Sequence, residues 1–63
     1  MKIREIVAKL EQEGWYLARQ KGSHKIYKHP AKPDARIVVP DHGGNKEPSI
    51  GVLADIKKRA GWK

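Results

Sequence analysis

Three histidines, His24, His29 and His42, are the side chains of this chain best suited to moving a proton near neutral pH. Cysteine is absent, which excludes a thiolate nucleophile, a disulfide framework and any Cys-based zinc site. Nor do the histidines form a metal set. His24 and His29 stand on or near one strand at an odd spacing, so a regular strand points them to opposite faces. Neither makes a ligand spacing with His42. No metal and no other cofactor is expected, which leaves acid–base work. His29 stands beside Pro30 in a turn and reads as a cap or surface residue, and nothing selects His42.

His24 is the distinctive one. It follows Gly22-Ser23 and is flanked by Lys21 and Lys25. Cleaving RNA without a metal needs a group that takes the 2′-hydroxyl proton or protonates the leaving 5′-oxygen. It also needs positive charge over the phosphoryl oxygens. A polyanion lying on Lys21 and Lys25 would bring a phosphate to the imidazole. Gly22 would allow close backbone approach, and the Ser23 hydroxyl can donate to a phosphate oxygen. A single histidine assigns only half of the proton transfer. His29 could supply the other half only if a bulge brought it to the same face.

The charge distribution agrees. The 63 residues carry 14 Lys and Arg against 7 Asp and Glu, a net charge of +7. Six basic residues, Arg19, Lys21, Lys25, Lys28, Lys32 and Arg36, fall within residues 19–36 beside one acidic residue, Asp34. Such a field steers polyanions and weakens with salt. The alternative is edge-strand lysines that merely prevent sheet-to-sheet association.

The elements that must hold these residues follow from periodicity. Ile3, Ile6, Val7 and Leu10 make one helical stripe over residues 2–13, ended by Gly14. Residues 15–19 and 24–28 read as strands joined by a turn at 20–23. Residues 29–34, with two prolines, read as a turn, and 35–39 as a third strand closed by Pro40. Residues 40–48 form a loop with two glycines. Ser49 is the N-cap of a last helix carrying Val52, Leu53, Ile56 and Ala60, with Gly61 as its stop and Trp62 free to fold back on it. Gly51 weakens that helix by about 1 kcal/mol relative to Ala and offers room for another backbone. The order α-β-β-β-α predicts an α+β fold: a three-stranded antiparallel sheet packed on two helices, the order of a double-stranded-RNA-binding domain. The expected core is Ile3, Ile6, Val7, Leu10, Leu17, Ile37, Val39, Leu53 and Ile56, joined by Trp15 and Ile26. A single domain spans 1–63. At this length only about 60% of the unfolded surface can be buried. A crossover nucleotide-binding fold or a two-domain cleft is excluded. No apolar run reaches a membrane span and no signal core follows the N-terminus, so a cytoplasmic protein is expected.

The segments Gly14-Trp15-Tyr16, Arg19-Gln20-Lys21-Gly22-Ser23-His24 and Tyr27-Lys28-His29-Pro30 resemble the HicA family of toxins, as do Ile37-Val38-Val39-Pro40 and the terminal stretch from Leu53 to Gly61. The resemblance runs from about Lys2 to Gly61. It departs at Glu47-Pro48, where many relatives carry a leucine before the last helix. It implies a small mRNA-cleaving toxin of a toxin–antitoxin module, with a metal-free site whose one required histidine maps onto His24. A HicB-type antitoxin would cover that site. Arg19, Lys21, Gly22, Ser23, Lys25 and Lys28 are then the expected RNA-binding residues, and those of Tyr16, Tyr27 and Trp62 that are exposed are candidate apolar contacts for the antitoxin. The rival readings are a non-catalytic RNA-binding module and a protein-interaction module whose charge is incidental.

Overall fold

The computed structural model describes residues 1–62. Helix α1 (Ile3–Gln12) leads into strands β1 (Tyr16–Lys21), β2 (His24–His29) and β3 (Lys32–Pro40), and helix α2 (Ile50–Ala60) follows. The strands form one antiparallel sheet in the order β1-β2-β3. This is the α+β, α-β-β-β-α arrangement that periodicity predicts.

Both helices end with the same device. Gly14 takes a left-handed φ of +95°, its N–H donates to the Glu11 carbonyl and the Trp15 N–H donates to the Leu10 carbonyl. At α2, Gly61 has φ +77°, the Trp62 N–H donates to the Lys57 carbonyl and the Gly61 N–H to that of Lys58. This double closure satisfies the last helical carbonyls, which no intrahelical donor can reach. The start of α1 is capped from a distance. The Ile3 N–H donates to the Lys46 carbonyl at 2.8 Å and the Arg4 N–H to the Gly44 carbonyl at 3.1 Å, while Glu5 Oε1 accepts the Lys2 N–H at 2.7 Å. A Cβ on Gly44 would lie 3.3 Å from that of Arg4, so a side chain there would push the loop and α1 apart by a few tenths of an ångström. Ser49 caps α2 as expected, accepting the Val52 N–H.

The strands are longer than their sequence suggests. The first hairpin turns on Gly22-Ser23 alone, with Lys21 paired to His24, instead of on residues 20–23. Gly22 supplies the positive φ (+59°) that this two-residue loop needs at its first position. An irregularity between Leu17 and Arg19 inserts one extra residue into β1 and absorbs the difference. The second turn is also short. His29 pairs with Lys32, and Pro33 and Asp34 lie inside β3 instead of in the turn. Pro33 is tolerated because β3 is an edge strand and the ladder is already irregular there.

The core comprises Ile3, Ile6, Leu10, Trp15, Tyr27, Ile37, Val39, Ile56 and Ala60, with Val7, Val52, Leu53, Ala35 and Trp62 packed around it. Leu17, expected inside, is 45% exposed, and Ile26 is only half-buried. Tyr27 takes the interior place at 2% exposure. The reason is register. Tyr27 pairs with Ile37 and Lys25 with Val39, so Tyr27, Ile37 and Val39 share the helix-facing side, and Ile26 pairs with Val38 on the other. Leu17 is on the helix side too, opposite Tyr27, but α2 packs along β3 and leaves every residue of β1 exposed. Leu10→Ala should therefore lower stability by about 2–5 kcal/mol in urea or thermal unfolding, and Leu17→Ala by less than about 1 kcal/mol.

Candidate functional site

His24 opens β2 at the tip of the first hairpin and is exposed. Its face of the sheet is defined by the strand pairings. Lys21 pairs with His24, Arg19 with Ile26, Tyr16 with Lys28, and Lys28 in turn with Arg36. Cross-strand partners project to the same side. Arg19, Lys21, Lys28 and Arg36 thus share the outer face with His24, Ile26 and Val38. The extra residue in β1 is what achieves this. Continuing the Leu17–Tyr27 register without it would place Ala18 opposite Ile26 and turn Arg19 to the helix side.

The other two cations of the basic stretch point away. Lys25, expected among the RNA-binding residues, faces the helix side, where its Nζ meets Asp41 Oδ2 at 2.8 Å. Lys32 lies 5.8 Å over the Trp15 ring. His29 also faces inward. Its Nδ1 accepts the Ala31 N–H at 3.0 Å, so its Nε2 carries the proton and donates to the Glu13 carbonyl at 2.7 Å. The ring stands edge-on to Trp15, and a Cβ on Gly14 would come within 2.8 Å of Nε2. With both nitrogens engaged on the far side of the sheet, His29 is a brace between β2 and the end of α1. It cannot be the second proton-transfer group.

Of the apolar contacts suggested for a partner, Tyr27 is buried and unavailable. Trp62 reaches across to α1 instead of folding back on α2. Its Nε1–H donates to Glu13 Oε1 at 2.6 Å and Lys9 Nζ sits 4.9 Å over its ring. Tyr16 remains exposed.

Two features of the site lie outside the motif around His24. The first is Asp41. Its N–H donates to the Ser23 carbonyl at 2.7 Å, its Oδ2 pairs with Lys25 and its Oδ1 accepts the Gly43 N–H. It therefore grips the residues on either side of His24. The second is a groove of about 390 Å³ beside His24, lined also by Val38, Pro40, Gly51, Val52 and Asp55. Asp55 is held in place by Arg59, whose Nε donates to both carboxylate oxygens, at 2.9 and 3.1 Å. The acid following the third strand and preceding two glycines is a sequence signal for Asp41. Nothing in the spacing of α2 marks the groove.

Lys25, followed by the Gly43 N–H, holds the Asp41 carboxyl below its ordinary value, and Asp41 holds the Lys25 ammonium above its own. A lowered carboxyl stabilises the fold above the unfolded value of about 3.9, and that contribution is lost as pH falls through the folded value. Asp41→Asn should therefore show a smaller drop in Tm than the wild type when the buffer is taken from about pH 5 to pH 3, read by circular dichroism.

No helix among the described residues is long and apolar enough to cross a membrane. A search of curated proteins finds no match. The family model described as the HicA toxin of bacterial toxin–antitoxin systems, however, matches residues 3–62, from the first residue of α1 to Trp62. On that match, which takes in every element that builds the His24 face, the chain belongs to the HicA toxin family.

Proposed function

We propose that this HicA-family chain is a metal-independent endoribonuclease that cleaves mRNA at His24 and is neutralised by a HicB-type antitoxin in the cytoplasm. The observation that carries the reading is the sharing of one exposed sheet face by His24 and four cations, Arg19, Lys21, Lys28 and Arg36. RNA lying across that face has its phosphates against the cations. His24 then supplies one half of the proton transfer, as general base to the ribose 2′-hydroxyl or general acid to the leaving 5′-oxygen, and water or an RNA group supplies the other half. The nearby cations stabilise the charge that develops on the phosphoryl oxygens. The tip of the hairpin, Gly22-Ser23, lets the strand approach without a bulky side chain at the apex. The cations are assigned to phosphate binding and charge stabilisation, and the proton transfer to the histidine.

The antitoxin reading rests on family membership and on surface chemistry. An acidic inhibitor would be steered by the same field. Affinity that survives salt needs apolar anchors as well. Tyr16 is 49% exposed and Ile50, at the start of α2 beside the groove, is 90% exposed.

Labelled single-stranded RNA in EDTA should be cut by the wild type and left intact by His24→Ala, with the variant still folded and still binding. Cutting by His24→Ala at the wild-type rate would remove the nuclease assignment, and binding without cutting by the wild type would favour an RNA-binding module. In the same assay Arg19→Gln, Lys21→Gln and Lys28→Gln should each lower the salt slope of binding by about 0.7, one phosphate contact on a single strand. Lys25→Gln should leave the slope unchanged, because that ammonium is committed to Asp41. The complex with a co-expressed antitoxin should not cut RNA, and raising the salt alone should not release the toxin.

A further inference from the structure

Gly51 occupies the second position of α2, where glycine weakens a helix. Its φ is not in the left-handed region, and a Cβ added there would meet nothing within 4 Å. Neither backbone conformation nor packing within the chain asks for glycine. What the missing side chain does is leave open the groove beside His24. At about 390 Å³ the groove lies at the lower end of the range of about 300–1,000 Å³ typical of small-ligand clefts. Val38, Pro40 and Val52 give it apolar walls, and Asp55 contributes a carboxylate.

We propose that this groove selects one unstacked nucleobase next to the cleaved phosphate, with Asp55 accepting hydrogen bonds from the base's N–H edge. The inference rests on the RNA-cleavage reading of His24. The neighbouring sheet face favours RNA as the occupant, since Arg19, Lys21, Lys28 and Arg36 share the face of His24 and Val38, two residues that line the groove. Asp55 disfavours an acidic protein side chain. Apolar walls suit the flat face of a base, and single-stranded RNA is read in this way, through splayed bases and their pairing edges. The single Arg59 Nε–H donates into the bite of the Asp55 carboxylate, to both oxygens, which fixes its plane and leaves the outward-pointing lone pair of each oxygen free. One such lone pair accepts one amino N–H from a base. Guanine, cytosine and adenine each offer an exocyclic amino group. Uracil offers a single N3–H between two carbonyls that repel the carboxylate. The expected order is guanine, cytosine and adenine ahead of uracil.

The test measures binding, by fluorescence anisotropy, of pentaribonucleotides that are uridine throughout except at the centre, with His24→Ala protein so that the probe stays intact. Guanine at the centre should bind about 5- to 150-fold more tightly than uracil, the span of a good side-chain-to-base contact. Adding Asp55→Ala, or filling the groove with Gly51→Leu, should compress that spread below about twofold while the dependence on salt persists. Gly51→Ala, which adds only a methyl group, should keep the preference and raise Tm, which separates loss of the pocket from loss of the fold. A spread unchanged by both Asp55→Ala and Gly51→Leu overturns the proposal. So does a loss of antitoxin binding in these variants without any change in base preference, which would assign the groove to a protein side chain. Wild-type cutting of RNA without base preference at the centre would leave the nuclease standing and sink the pocket. A base preference in a wild type that cuts nothing would support the pocket and sink the nuclease.

Discussion

The position of His24 depends on one carboxylate that never touches it. Asp41 binds the Ser23 carbonyl through its backbone and the Lys25 ammonium through its side chain, so the hairpin tip is fixed to the exit of β3 on both sides of the histidine. The same residue turns the chain through the Gly43 N–H into the loop whose carbonyls at Gly44 and Lys46 cap α1. One residue, through its backbone and its side chain, thus links the hairpin, the exit of the third strand and the loop that caps the first helix. The ion pair is partly exposed, and such pairs contribute little by charge alone. Its weight comes from geometry. It adds a side-chain tie to the backbone bond between Asp41 and Ser23, and the same carboxylate holds the start of the loop that satisfies α1.

The far end of the molecule is tied by aromatic residues. Each helix ends in a Gly-Trp pair, and the two tryptophans do different work. Trp15 enters the core and meets His29 edge-on. Trp62 bridges the two helix ends through Glu13. Glu13 is the meeting point, since its carbonyl accepts from His29 and its carboxylate from Trp62. A chain this short buries few side chains, so directed polar contacts at the helix ends supplement a thin hydrophobic core.

The helices were legible in the sequence because their signals are local. The stripe of Ile3, Ile6 and Leu10, the Ser49 cap and the closing glycines each act within a turn or two of the chain. The sheet was less legible because its register depends on counting across strands. One extra residue after Leu17 moves Arg19 and Lys21 to the outer face, and the continuous run Ile37-Val38-Val39 gives no sign of which residue faces in. The site divides the same way. His24 is marked by its Gly-Ser neighbours, whereas Lys25 looks equivalent to Lys21 until its partner, far along the chain, is known. The role of His29 as a brace was hidden for the same reason, since it depends on Glu13 and Trp15 across the sheet.

Lys28 and Arg36 lie directly opposite each other with Arg19 and Lys21 on the same face. Like charges placed opposite on a sheet are destabilising. A sequence optimised for stability alone would alternate signs there, as it does inward, where Lys25 meets Asp41. Among the described residues no acidic side chain forms an ion pair with any of these four cations. The face carries this repulsion without a paired counter-charge among the described residues, which is the arrangement the proposed RNA-binding role would use. The histidine stands exposed on that same face, so the cations and the imidazole are positioned by one strand register.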